Sequence, residues 1–378
     1  MDPVKVLQTP PRYTPYIGGV ESVAQEIAEV LTKRGVPVSV LCADEPANGP
    51  TSVNGVPTAR LKVAAKIANT PLTLGLPAAL LRADFDVVHT HLPTPWSADW
   101  SVLIAKLRRK RSVLTYYNKI PGKGIERWVA LLYRNTVERL TMRLADVILL
   151  QSRSWERRLV EMRPSLADKL VVIANGVDTE RFAPPPPSAP RNDELLFVSV
   201  LDRFHEYKGL DVLLDALPEC PGRVLNIVGD GELRGFYEQR CRELGIAERV
   251  HFLGAVDDNR LVDLYRSCGL FVLSSNGGLH EGGSSLVVLE AMSCGLPVVV
   301  AQGAGDIAND AELAGAGLAV PASDRDAMAK AINALMSDSQ RRAECSQAAA
   351  DYIRRHHTWS AIVDQIAEQY GPAEGQRR

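Results

Sequence analysis

Residues 279–300 read LHEGGSSLVVLEAMSCGLPVVV. The stretch follows the strand-like run LFVLSS at 270–275, and Gly282-Gly283 breaks the chain between them. Serine caps exposed helix amides, so a helix is expected from Ser284 or Ser285 through LVVLEAMSC. Gly295 suits a left-handed helix end, and Pro297 then opens the strand PVVVA. Strands that are aliphatic along their whole length and joined by helices belong to a parallel sheet covered on both faces. In open sheets of this kind ligands gather at the carboxyl ends of the strands. A helix N-terminus there suits phosphate. Glu281 falls in the loop just before that N-terminus and Glu290 in the second turn. Carboxylates so placed can accept hydrogen bonds from sugar hydroxyls. A helix-entry acid and a solvated helix acid would show the same spacing, and spacing alone leaves both readings open.

The same grammar runs along the chain. VKVLQ, VSVLCA, DVVHTH, SVLTYY, DVILLQ and KLVVIAN read as strands, with helices between them over about Val20–Arg34 and Ile125–Leu144. After residue 195 the alternation restarts with LLFVSVL, RVLNIVG, VHFLG, LFVLSS and PVVVA. Two such series predict two doubly wound α/β domains. The proline run APPPPSAPR at 183–191 behaves as a stiff extended spacer. The expected organisation is therefore an N-terminal domain over 1–182, a linker over 183–192, and a second domain over 193–355. A C-terminal helix and tail over 356–378 is expected to pack back on the first domain.

Composition narrows the class. The 378 residues are 46% hydrophobic and 23% charged with a net charge of −2, which argues against a nucleic-acid binder. The N-terminus MDPVKVLQTP shows no basic-then-apolar leader, and no run reaches the roughly 18–20 apolar residues of a membrane span. Six dispersed cysteines without a C-x-x-C pair read as reduced thiols of a cytoplasmic protein. The adjacent His356–His357 pair is poor geometry for zinc. No metal is expected.

Several further motifs sit at strand ends. LDRFHEYKGLD places Arg203 and Lys208 after the strand LLFVSVL, where two cations can neutralise a diphosphate. VGDGE, from Val228 to Glu232, is a glycine turn at another strand end. Each alone is a weak signal.

Together they resemble the retaining nucleotide-sugar glycosyltransferases of glycosyltransferase family 4, over nearly the whole chain. The resemblance rests on YIGGVE with Gly18–Gly19, VVHTHLPTPWS, NGVD, the Arg203–Lys208 pair, VGDGE, FLGAV and EAMSCGLPVV. It implies the GT-B fold, two Rossmann-like doubly wound parallel-sheet domains facing a central cleft. It implies sugar transfer from a nucleotide diphosphate sugar to an acceptor hydroxyl, with retention and without metal or other cofactor. Catalytic roles are implied for His91, Arg203, Lys208 and Glu281. The implied donor site comprises Gly18, Gly19, Arg203, Lys208, Val256, Glu281, Gly282, Gly283, Ser284, Ser285, Leu286 and Glu290, with Glu290 on the ribose and the backbone around Val256 near the base. His89 is expected to turn to the other side of its strand and to pack.

The chain departs from the family's pattern in two places. The family usually has seven residues between its glutamates, and here there are eight, GGSSLVVL. Either a bulge keeps Glu281 on the sugar, which two glycines permit, or Gly282 takes the first-glutamate position. On the acceptor side, Glu21, Tyr117, Asn118 and Lys119 are the residues expected to line the site. Lys119 and Lys123 either bind an acceptor phosphate or are solvated. The basic run KLRRKR (106–111) and the arginines of IERWVALLYRNTVERLTMR can meet an anionic membrane surface or form a solvated face. The alternatives to a transferase are a nucleotide-sugar 2-epimerase, whose motif order fits poorly, and an inactive sugar-nucleotide-binding partner.

Overall fold

The structure, a computed structural model, describes residues 3–16, 18–67, 69–117, 125–186, 189–276 and 285–371, with backbone alone for 125–127. The chain forms two compact units, one of residues 1–174 with 359–378 and the other of residues 175–358.

Unit 1 is built on an eight-stranded sheet in the order Leu170–Val172, Val147–Leu150, Arg111–Tyr116, Val87–Leu92, Val6–Thr9, Val38–Ala43, Val56–Leu61 and Ser52–Val53. Every pairing is parallel except the short edge strand Ser52–Val53. One face carries Val6, Val38, Val40, Val87 and Val113 against Ile27 and Leu31 of the Gly19–Lys33 helix and Ile362 and Ile366 of the Trp359–Glu368 helix. The opposite face packs Leu7, Leu41 and Val88 against Leu80, Phe85 and Ile104. Residues two apart share a face and neighbours alternate, so these two lists follow directly from a strand's period of two.

Unit 2 carries a six-stranded, fully parallel sheet in the order Val250–Gly254, Leu225–Val228, Leu195–Val198, Leu270–Leu273, Val298–Ala301 and Gly317–Val320. Most of its strand residues are buried, as continuous aliphatic runs require.

The division between the units falls at Ala174/Asn175, ahead of the proline run. Val177 and Phe182 lie in the core of unit 2. The last residue of the run is tied there as well: the guanidinium of Arg191 donates to the carbonyls of Tyr265, Arg266, Cys268 and Cys294 at 2.6–3.1 Å. The continuous helix expected over 125–144 is two helices, Ile125–Asn135 and Val137–Leu144, broken at Thr136. All six cysteines are buried thiols.

Candidate active site

Each sheet reverses its strand order once. In unit 2 the chain runs outward from Leu195–Val198 to Val250–Gly254, then restarts on the other side at Leu270–Leu273. Loops leaving two neighbouring strands in opposite directions open a crevice at this switch point. The loop after Leu195–Val198 carries Arg203 and Lys208, and the Leu286–Ser293 helix after Leu270–Leu273 carries Glu290.

Glycine shapes this crevice at close approaches. Gly229 (φ +126°) and Gly231 (φ +159°) press against the backbone of Ser199 and Leu201, where a β-carbon would overlap their carbonyl oxygens. The VGDGE turn thereby supports the Arg203 loop, and Glu232 Oε1 lies 3.4 Å from Arg203 Nε. Both side chains of that pair are more than half exposed. Lys208 closes a short 3-10 turn, Glu206–Lys208, with its ammonium 5.1 Å from the centre of the Tyr207 ring. That turn is pinned to the end of the next strand. Ser275 Oγ and the Asn276 amide both donate to the Tyr207 carbonyl at 2.9 Å, and Ser274 Oγ donates to the Gly209 carbonyl at 2.5 Å.

Ser285 occupies the N-cap of the Leu286–Ser293 helix without a side-chain cap bond, and Leu286 is its first residue. The helix ends as expected at Gly295, with φ +65° and the Leu296 amide bonded to the Ala291 carbonyl at 2.9 Å. Half-buried Glu290 accepts a hydrogen bond on Oε2 from the fully buried Tyr265 hydroxyl at 2.9 Å. Burial raises the Glu290 carboxyl above its ordinary range, against the hydrogen bond that favours the carboxylate. Val256 is half-buried against the unit 2 core.

In unit 1 the switch point lies between Val6–Thr9 and Val87–Leu92. Gly18 precedes the Gly19–Lys33 helix in an extended conformation open to any residue. A β-carbon there would run into the carboxylate of Glu21, whereas one on Gly19 would meet open space. Glu21 is buried, which raises its carboxyl. Its charge in turn adds to the burial that holds the Tyr117 hydroxyl protonated.

His91 is fully buried, its Nδ1 3.2 Å from the Tyr117 hydroxyl and its Nε2 3.1 Å from Gln8 Oε1. Burial pushes it down to about 3, and it pushes His89 well below its ordinary value, with the His91 charge adding to the effect. Both rings are neutral. The expectation that His89 faces away from His91 is wrong: residues two apart on a strand share a face, and the rings stack at 4.9 Å.

Thus Gly18, Gly19, Glu21, His91 and Tyr117 lie in unit 1, and Arg203, Lys208, Val256, Ser285, Leu286 and Glu290 in unit 2. Glu281, Gly282, Gly283, Ser284, Asn118, Lys119 and Lys123 lie outside the described residues. Sequence reasoning missed Gln8, Tyr265, Ser274, Ser275 and Tyr370. The signals were slight: a glutamine ending an aliphatic strand, two serines closing LFVLSS, and tyrosines among helix residues. The basic run at 106–111 is largely engaged within the unit. Arg108 donates to the carbonyls of Leu80 and Ala83, Lys110 to Asp86, and Arg111 to the Gln369 carbonyl.

Comparison with known proteins agrees with this architecture. Residues 17–181 match the family described as Glycosyltransferase Family 4, and residues 185–352 the one described as Glycosyl transferases group 1. The chain is 30% identical to the phosphatidyl-myo-inositol mannosyltransferase of Mycobacterium leprae, across 93% of this chain and 92% of that protein. It is 27% identical to the D-inositol 3-phosphate glycosyltransferase of Stackebrandtia nassauensis, across 94% and 87%. In fold it is similar to the sucrose-phosphate synthase of Thermosynechococcus elongatus, with a TM-score of 0.75 at 21% identity over 97% and 98% of the chains. Anabaena HepE in complex with UDP gives a TM-score of 0.74 at 21% identity over 96% and 98%. Two parallel α/β units with these matches over both halves place the chain in glycosyltransferase family 4, as a glycosyltransferase of the GT-B fold.

Proposed function

We propose that the chain moves a sugar from a nucleotide diphosphate sugar to an acceptor hydroxyl, with retention at the anomeric carbon and without a metal ion. The observation that carries this reading is the unit 2 crevice, where a loop bearing two cations is pinned against the strand that leads to Glu290. Arg203 and Lys208 stabilise the charge that develops on the departing diphosphate. Glu290 accepts hydrogen bonds from the ribose, and the backbone near Val256 contacts the base. Glu281 accepts from the donor sugar. In unit 1, Gly18 and Gly19 let backbone approach the donor, His91 lies near the reacting sugar, and Glu21, Tyr117, Asn118 and Lys119 line the acceptor site.

The donor to test first is GDP-mannose, because a relative 29% identical over 80% of this chain is described as a GDP-mannose-dependent mannosyltransferase acting on a phosphatidylinositol monomannoside. A thermal-shift panel of GDP-, UDP-, ADP- and TDP-sugars ranks donors by mass action on the folded state. Turnover of the donor so found, assayed in EDTA with the product's anomeric configuration read by NMR, tests the rest. Inversion or a strict metal requirement overturns the corresponding part.

A peripheral contact with an anionic membrane fits unit 1. Trp128, Val129 and Leu132 of the Ile125–Asn135 helix are exposed, as are Val137 and Leu140 of the next helix. Val137, Leu140, Ile67 and Leu103 line one apolar cavity of about 410 Å³. Arg139 and Arg143 are exposed on the same helix as Leu140. Among the described residues no helix is long and apolar enough to cross a membrane. Cosedimentation with anionic but not zwitterionic vesicles, lost in Trp128→Ser/Leu132→Ser, is the expected result.

A further inference from the structure

The face of the unit 1 sheet that packs against the Gly19–Lys33 helix changes character along its three central strands. Val6 gives way to Gln8, Val87 to His89 and His91, and Val113 to Thr115 and Tyr117, each pair sharing a face at a spacing of two. Gln8, His89 and His91 are fully buried, and Tyr370, beyond the Trp359–Glu368 helix, is nearly so. Buried polar groups at this density must satisfy one another.

The contacts form a single chain. Gln8 Nε2 lies 3.2 Å from His89 Nδ1 and donates to the Tyr370 oxygen at 3.4 Å. The Tyr370 oxygen lies 2.7 Å from His89 Nδ1, and His89 Nε2 lies 2.7 Å from Thr115 Oγ1. At its other end Gln8 Oε1 faces His91 Nε2 at 3.1 Å, and His91 Nδ1 faces the Tyr117 hydroxyl at 3.2 Å.

A primary amide has one accepting end and one donating end, and a neutral imidazole likewise has one of each. Gln8 Oε1 only accepts, so His91 Nε2 must carry its proton and Nδ1 is left to accept from the Tyr117 hydroxyl. Gln8 Nε2 only donates, so His89 Nδ1 must be bare, accepting from Tyr370, while Nε2–H donates to Thr115. Turning the amide over reverses both assignments together. In either orientation the two histidines share one tautomer.

We propose that Gln8 is a positioning residue that locks His89 and His91 into a common tautomer, with Tyr370 closing the far end and the Tyr117 hydroxyl held at the near end. The inference rests on the reading of His91 as the active-site histidine only for its effect on turnover; the lock itself follows from the geometry. A ring held on both nitrogens cannot rotate or exchange tautomers freely, which preorganises His91 and Tyr117 without any charge on either.

The test labels the full chain with 15N-histidine and reads ring tautomers by long-range proton–nitrogen correlation, assigning His89 and His91 by single substitution to Gln. Both rings are expected in the Nε2–H form; rings in different tautomers overturn the lock. Gln8→Met keeps the length and removes donor and acceptor, so His91 is expected to lose its single tautomer. An unchanged His91 pattern in folded Gln8→Met also overturns the lock. If Gln8→Met does not fold, the parent spectrum alone decides. In turnover of GDP-mannose or UDP-glucose, whichever stabilises the chain, Gln8→Met is expected to lower kcat about tenfold or more, on the scale of one buried hydrogen bond, with donor KM little changed. A lost tautomer with normal kcat leaves the lock standing and overturns the role given to His91.

Discussion

The Tyr265 hydroxyl donates to Glu290 Oε2 at 2.9 Å, a partly buried bond within unit 2. Burial raises the Glu290 carboxyl and this bond opposes the rise. A ribose hydroxyl donates better to a carboxylate than to a neutral acid. Donor affinity is therefore expected to fall as pH drops through the raised value, which lies above the ordinary 4.5. Tyr265→Phe removes a contact that favours ionisation, so the falling edge should move to higher pH. Calorimetry with a donor sugar between pH 5 and 8 measures both. An edge that stays in place in Tyr265→Phe separates Glu290 from the ribose.

Gly209 is expected to tolerate no side chain. Its φ of +72° disfavours any residue with a β-carbon, and that atom would overlap the carbonyl oxygen of Ser274. Gly209→Ala should cost roughly 1–3 kcal/mol, the scale of a strained backbone position, and displace the neighbouring Lys208. Denaturant unfolding beside a donor titration is expected to show both losses together.

Arg203 and Lys208 make a cleaner case, because their side chains lie outside the core. Arg203→Ala or Lys208→Ala should lower turnover about a hundredfold or more, as loss of a preorganised charge contact does, with unfolding unchanged. Near-normal turnover in either folded variant removes the diphosphate role.

Much of this was readable because it depends on local chemistry. Continuous aliphatic strands gave the parallel sheets, Gly295 marked a helix end, and the glycines of VGDGE marked a turn that other backbone approaches. The histidine network was hidden for a different reason. Gln8 meets His89 through a register between strands 81 residues apart, and Tyr370 reaches them only because the chain's end returns to unit 1. No local pattern reports either event. His89 was misplaced by faulty period-two reasoning, since the sequence itself puts it on the face of His91. The break at Thr136 lies inside a pattern that reads as one amphipathic helix, and the seam at Ala174/Asn175 is marked only by Asn175-Gly176, a slighter signal than the proline run at 183–191.

The two glutamates of the 279–300 stretch should fail in different ways. Glu290→Ala is expected to weaken both the free nucleotide diphosphate and the donor sugar, because ribose is common to both. Glu281→Ala should leave the free nucleotide diphosphate bound almost as before and lose transfer, because on the proposed reading its partner hydroxyl belongs to the sugar alone. A hydrogen bond to a buried charge is worth roughly 1.5–3 kcal/mol, so each loss should be about tenfold or more. The eighth residue between the glutamates makes the second expectation the sharper one. If the bulge reading holds, Glu281 still meets the sugar; if Gly282 stands in the first-glutamate position, the carboxylate is displaced. Calorimetry with GDP and UDP on both variants, beside a transfer assay, separates these cases. Full transfer by Glu281→Ala would select the displaced carboxylate and leave Glu290 as the stretch's one donor-binding acid.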